Sequence, residues 1–312
     1  MNLRRPKIGL ALGGGGARGL SHIGVLKILE AAHVPIDMIA GTSIGALVGG
    51  CYALRPDAIE LERRVREYIE SPAFKNTGLN RFKRPEPAEN FFGQVAKYVR
   101  ERIVINLAHS RLSVVGADRM GRVVEAVLDD RRIEDTKIPL LIVATDLHTG
   151  DDCIMREGRI REAALASAAI PGFLPPVKQN GHLLVDGAVT APVPVRALKD
   201  AGMDIIIAVD VGQDIRTQPE AQNIVDIMFR TNSITSHKLK TLLLEAADVI
   251  VRPDVGHIHW ADFQNIRDLI EEGKRAAHEK LPDILELIRE KRPFWMRLFR
   301  SGRQREEELQ AA

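Results

Sequence analysis

The segment Asp204 to Val211 (DIIIAVDV) constrains the fold of this 312-residue chain more than any other. A strand with one wet face alternates polar and apolar residues, whereas a near-continuous apolar run fits a strand covered on both faces. Ile8 to Leu12, Ile36 to Ala40, Pro139 to Thr145 and His182 to Val185 also read as strands. Between them, Arg18 to Ala32, Ile44 to Leu54, Asp57 to Glu70, Gly121 to Leu128 and Arg159 to Ala169 carry helical spacing. Strands alternating with helices predict a three-layer α/β/α fold around a mainly parallel central sheet. Beyond Gln222 the pattern turns helical, over roughly 223–247 and 265–290, with a short strand at 248–251. Residues 7–212 are therefore expected to form one α/β domain, and 213–290 a helical extension packed on that core.

Two stretches break the pattern. Residues 72–110 hold Pro72, Pro85 and Pro87, the aromatics Phe74, Phe82, Phe91, Phe92 and Tyr98, and a basic excess. They are a candidate insertion or lid, or else a pair of surface helices with no gating role. Residues 291–305 (KRPFWMRLFRSGRQR) interleave Phe294, Trp295 and Phe299 with six basic residues and no acid, before an acidic end to the 291–312 tail. Such a segment suits an interfacial anchor on anionic lipid, or a tail whose aromatics fold back.

The net charge of +2 excludes a polycation of the nucleic-acid-binding kind. Cys51 and Cys153 do not make a disulfide framework and read as reduced thiols. The basic start with Arg4, Arg5 and Lys7 imitates a secretion signal, but its apolar run dissolves at Gly13 to Gly16. No apolar window is long enough to span a bilayer. The expected location is the cytoplasm, with peripheral contact at the inner face of the membrane through 291–305. Homo-oligomerisation is left open.

Three motifs carry the chemistry. Gly41-Thr42-Ser43-Ile44-Gly45 follows a predicted strand and opens a predicted helix. That is the setting of a nucleophile elbow, where a sharp turn projects the serine Oγ and flanking glycines let the backbones approach. The alternative is a tight turn with a capping serine. Gly13-Gly14-Gly15-Gly16-Ala17-Arg18-Gly19 joins the first strand to the first helix. Successive glycine amides there form an anion cradle, and Gly14, Gly15 and Gly16 are the expected oxyanion-hole donors. Gly14, Gly16 and Gly19 also satisfy a dinucleotide fingerprint, which needs an acid at the far end of the second strand. Asp37 sits at that strand's start instead, so no cofactor is expected. Asp186-Gly187-Ala188 ends the strand HLLVDG. Its carboxylate is placed to reach a nucleophile on a neighbouring strand end, or to cap its own turn. No His/Cys/Asp cluster has ligand spacing, so no metal is expected.

Together these elements resemble the patatin-like phospholipase family. The glycine loop with its basic residue (Gly14 to Gly19, with Arg18), the elbow around Ser43 with Gly41 and Gly45, the stretch Ala166 to Pro176 (ASAAIPGFLPP) and Asp186-Gly187-Ala188 stand in the family's order. Ala188 occupies a position where many relatives carry glycine. The likeness spans about Lys7 to Gly212 and is strongest to short bacterial members without added membrane or calcium-binding domains. It implies a patatin-like α/β/α fold and a serine lipid acyl hydrolase, with Ser43 as nucleophile, Asp186 as general base and no catalytic histidine. The implied substrate is an acyl ester of a phospholipid or lysophospholipid. A general carboxylesterase or thioesterase of the same fold, and a weakly active adaptor, are the alternatives.

Two further readings bear on the site. A Ser–His–Asp hydrolase would draw on His237, His257, His259 or His278, but its elbow would follow several strands, not the second. His22 reads as a packed core histidine. Arg18 is expected either to attract a lipid phosphate or to brace the glycine loop.

Overall fold

Every second residue of the central strands points to the same side, and the two sides differ in bulk. From β1 (Ile8–Leu12), Ile8, Leu10 and Leu12 enter one core cluster and Ala11 the other. The same division separates Leu140 and Ile142 from Leu141 and Val143, and Ile205, Ile207 and Val209 from Ile206 and Ala208. Both faces are thus apolar, which explains the unbroken run at 205–209. The computed structural model describes residues 4–77, 117–212 and 224–292.

After β1 come α1 (Ser21–Ala31), β2 (Met38–Thr42), α2 (Ile44–Leu54), α3 (Ala58–Glu70), α4 (Pro72–Asn76) and α5 (Ala117–Val127). Next are β3 (Leu140–Asp146), β4 (Asp152–Met155), α6 (Ile160–Ser167), β5 (Val177–Gln179) and β6 (His182–Asp186). The described chain continues through α7 (Val195–Asp200), β7 (Ile205–Val209), α8 (Ile224–Leu244), β8 (Val249–Val251) and α9 (Ile266–Glu290). The path of hydrogen-bonded neighbours is β5-β6-β3-β2-β1-β7-β8, with β4 also paired to β3. The sheet is parallel from β3 through β2, β1 and β7 to β8, as expected, and antiparallel where β4, β5 and β6 join. It is therefore mixed.

Helices α1, α2, α3 and α9 bury their apolar stripes on the face that carries the larger side chains, and α7 covers the alanine-rich face. The first of these layers is tight. α1 and α9 cross where Gly24 lies against the Ile270 carbonyl and Gly273 against that of Ser21, leaving no room for a Cβ.

Boundaries moved where pairing overrode composition. β2 begins two residues later than expected and runs through Gly41 and Thr42, because β1 and β3 pair with it that far. Asp57 caps α3, accepting bonds from the amides of Ile59 and Glu60. Of the expected insertion, α4 and Thr77 are described, and Phe74 is buried between the rings of Tyr68 and Phe263. Residues 78–116, and the tail beyond Arg292, lie outside the described residues.

Candidate active site

The site is assembled by β3 acting as a ruler. β2 pairs with Leu140 to Val143, and β6 pairs, running the other way, with Ala144 to Asp146. β4 pairs with Ile142 to Thr145 and so overlaps both. It must occupy the opposite edge of β3, which leaves β2 and β6 end to end along one edge. Thr42 sits opposite Val143, and Asp186 opposite the next residue, Ala144. The residue after Thr42 therefore meets the end of β6.

That residue is Ser43. It takes φ 56° and ψ −122°, a strained turn for a side chain with a Cβ, and serves as N-cap of α2. Gly45 and Gly41 make the turn possible. A Cβ on Gly45 would strike the Leu12 carbonyl oxygen, and one on Gly41 would lie 2.6 Å from Ala46 Cα. Ser43 Oγ donates to Asp186 Oδ2 at 2.6 Å, and Asp186 Oδ1 accepts the Ala188 amide at 2.8 Å. Both residues are buried. Burial pushes the Asp186 carboxyl up to about 6, and the bonds from Ser43 and Ala188 offset only part of that. Gly187 turns the chain, and its Cα faces the Val143 carbonyl so closely that no Cβ fits.

The glycine loop closes the other side. The Cβ position of Gly14 lies 3.3 Å from the Cβ atoms of both Ser43 and Ala188. Its amide, however, donates to the Pro192 carbonyl at 2.9 Å. This corrects the expectation of three free amides, because a committed N–H cannot also receive an oxyanion. Among the described residues no acceptor takes the N–H of Gly15 or Gly16.

The four stretches read from the sequence thus meet at one end of the sheet. A family model described as "Patatin-like phospholipase" matches residues 10–199. The chain belongs to the patatin-like phospholipase family. Patatin-like phospholipase domain-containing protein 6 of Homo sapiens is 30% identical over 284 residues, covering 90% of this chain and 17% of that protein. Lysophospholipase NTE1 of Yarrowia lipolytica is 28% identical over 304 residues, covering 89% of this chain and 20% of that protein. The chain thus spans about a fifth of the length of these curated relatives. Among solved structures, VipD from Legionella pneumophila aligns with a TM-score of 0.45 at 12% identity, over 90% of this chain and 67% of that one.

In this patatin-like chain the basic residue of the glycine loop points inward. Arg18 is buried, donating from Nε to the Val211 carbonyl and from a terminal nitrogen to that of Ile258, each at 3.1 Å. Both bonds tie the glycine loop to the segments that carry Val211 and Ile258. Desolvation brings its guanidinium down to about 10, with Asp210 opposing. Gly19 passes against Ile44, tying loop to elbow. His22 is fully buried beneath the loop, with Nε2 at 2.8 Å from the Gly13 carbonyl, and burial lowers it to about 4. It is a neutral donor holding the loop. Asp37 binds Arg5 and the Ile8 amide at the start of β1, the opposite end of the sheet from the glycines. Among the described residues no group of three His, Cys, Asp or Glu side chains is placed to hold a metal ion.

Ser167 was not singled out by sequence. Fully buried, it accepts the Ser43 amide at 2.8 Å and donates to the Val143 carbonyl at 2.6 Å, pinning the elbow to the ruler strand. Its signal was a lone hydroxyl among alanines in the stretch from Ala166 to Pro176. Thr42 acts similarly, donating to the Ala191 carbonyl at 2.9 Å.

Proposed function

We propose that this chain is a serine lipid acyl hydrolase, cleaving fatty acyl esters of phospholipids or lysophospholipids through Ser43 and Asp186. The observation that carries this reading is the 2.6 Å bond between the strained Ser43 hydroxyl and a buried carboxylate. Asp186 accepts the hydroxyl proton as Oγ attacks the acyl carbonyl. The amides of Gly15 and Gly16, with the positive end of α2, receive the charge that develops on the carbonyl oxygen. The leaving alcohol then takes the proton from Asp186. Water then attacks the acyl-enzyme and gives a proton to Asp186, and that proton passes to Ser43 Oγ as the serine–acyl bond breaks, releasing the fatty acid. An ordinary aspartate is too weak a base at neutral pH. Holding it near 6 moves it toward the range where general bases work best. The group that meets the Ser43 hydroxyl is a carboxylate and not an imidazole, and the His22 ring is committed to Gly13. The relatives, a patatin-like phospholipase domain-containing protein and a lysophospholipase, support the substrate class.

The test is product analysis on a mixed panel of phospholipids, lysophospholipids, neutral esters and thioesters, with Ser43→Ala as control. Release of fatty acid from phospholipid or lysophospholipid, absent in the variant, is the expected result. Turnover of neutral esters or thioesters alone would replace the lipid assignment. Failure of a fluorophosphonate probe to label Ser43 would refute the enzymatic reading.

A further inference from the structure

Helix α8 is much longer than the strands it connects. At about 1.5 Å per residue its 21 residues span about 31 Å. The five residues of β7 reach only about 17 Å. As the crossover between parallel strands β7 and β8, it runs against their direction. Its C-terminal end is anchored: Leu244 packs in the cluster with Ile206 and Leu198, and Asp248 donates its amide to Ile206. One turn earlier, Lys240 pairs with Asp210, the residue just past the carboxyl end of β7, at 2.9 Å. The surplus length therefore projects roughly 20 Å past that end of the sheet. Ser43 and the glycine loop lie at the same end, about two strand spacings (about 10 Å) to the side.

The outward side of the helix is apolar, along the overhang and back into the anchored end. Ile227, Met228, Ile234 and Leu242 are exposed by 53, 65, 40 and 64%. At 100° per residue they fall on one face, together with Thr231, Thr235, Thr241 and Lys238. The threonine hydroxyls are satisfied within the helix, donating to the carbonyls of Met228, Thr231 and His237 at 2.9, 3.1 and 2.9 Å. Such a face presents methyl groups and leaves no hydroxyl proton needing water. Between Asp226 and Glu245 the sequence has no acid, Lys240 is committed to Asp210, and Lys238 is an exposed base on this face.

We infer that the outer face of α8 docks on an anionic phospholipid bilayer and holds the mouth of the site toward it. The choice of partner rests on the lipid-hydrolase reading. The geometry and charge of the helix do not. Satisfied hydroxyls and absent carboxylates are what immersion at a lipid interface requires, and Lys238 can reach up to a headgroup phosphate from an otherwise apolar face.

The test uses the full chain carrying Ile227→Glu, Met228→Glu and Ile234→Glu together, with Leu285→Glu, an exposed apolar residue on α9, as control. Three readouts are compared: co-sedimentation with phosphatidylcholine–phosphatidylglycerol vesicles, hydrolysis of vesicle phospholipid, and hydrolysis of a soluble short-chain ester. The triple variant should lose at least tenfold in both vesicle readouts and keep soluble-ester turnover. The Leu285→Glu protein should match wild type in all three. Vesicle binding unchanged in the triple variant overturns the inference, as does an equal loss in the control. So does finding that the triple substitution splits a homodimer while vesicle binding persists. If wild type cleaves no ester but binds vesicles through α8, the hydrolase reading fails and the docking surface stands.

Discussion

Asp186→Asn should change how stability depends on pH, and the size of the change follows from the burial of the carboxylate. Burial raises Asp186 from 3.8 to about 6 in the folded protein. A carboxyl group raised on folding favours the folded state in its protonated form. That contribution is fully present below the unfolded value and is lost as pH rises through about 6. At about 1.4 kcal/mol for each tenfold change in proton affinity, the interval from 3.8 to about 6 corresponds to about 3 kcal/mol. Wild type therefore gives up about that much between acid and neutral pH on account of this group alone.

Asparagine is neutral throughout and nearly the same shape. Its Oδ1 can accept the Ala188 amide, and its Nδ2 can donate to Ser43 Oγ, reversing the sense of the present bond. The second Nδ2 hydrogen adds a constant offset that does not vary with pH. Urea unfolding of both proteins across a pH series isolates the varying part. The stability of the variant minus that of wild type should climb by about 3 kcal/mol between about pH 3 and about pH 8. Activity should be lost at every pH. In wild type, kcat/KM should fall about tenfold per pH unit below about 6, as the base is protonated. Parallel stability curves for the two proteins would refute the claim that Asp186 is held ionised against its desolvation.

Other substitutions test the scaffold. Gly45→Ala should prevent accumulation of folded protein, since its Cβ has nowhere to go but into the Leu12 carbonyl; soluble, active protein in an expression trial would contradict the close approach. Arg18→Met should cost about 2–4 kcal/mol in denaturant unfolding by stranding the Val211 and Ile258 carbonyls. It should shift KM equally for phospholipids and for esters lacking phosphate, and a rise confined to phosphate-bearing substrates would contradict bracing. Ser167→Ala should lower kcat more than it raises KM, because the Ser43 amide loses its acceptor while the pocket keeps its walls. Single alanine substitutions at His237, His257, His259 and His278 should each retain most of the turnover, and abolition in any one would overturn the two-residue chemistry.

Most of the layered architecture was legible because the parallel strands are buried on both faces. A continuous apolar run as short and as rich in β-branched residues as Ile205 to Val209 fits such a strand better than a buried helix. The antiparallel edge was harder to read. β5 has three residues and β4 four, too few for a period to show. The turn between β5 and β6 did carry a local signal. Asn180 and Gly181 both take positive φ, 49° and 83°, as a two-residue hairpin turn requires. At the site, Ser43 and Asp186 could be named because each sits where a strand ends in small residues. The commitment of the Gly14 amide could not, because it depends on Pro192, which is 178 positions away and reaches the loop only through the packing of α7. Ser167 was hidden for a related reason. A buried hydroxyl near the end of an alanine-rich helix looks like a spacer until its partners on two other elements are known.

The distance between Ser43 and Asp186 is set by sheet register, not by either loop. Ser43 directly follows Thr42, the last residue of β2, and Asp186 ends β6; Thr42 and Asp186 pair with consecutive positions of β3, Val143 and Ala144. Slipping β6 by one residue would turn every side chain of that strand to the other face. Leu184 would then leave its cluster with Ala144 and Ala166, and the Asp186 carboxylate would point away from Ser43. The apolar contacts that forbid the slip are therefore also what holds a hydroxyl and a carboxylate, 143 positions apart in the chain, at 2.6 Å. A substitution that alters β6 packing without touching the site, such as Leu184→Ala, should accordingly reduce turnover beyond its effect on the folded fraction. If activity per folded molecule were unchanged in that variant, the bond would have to be held by the turns alone.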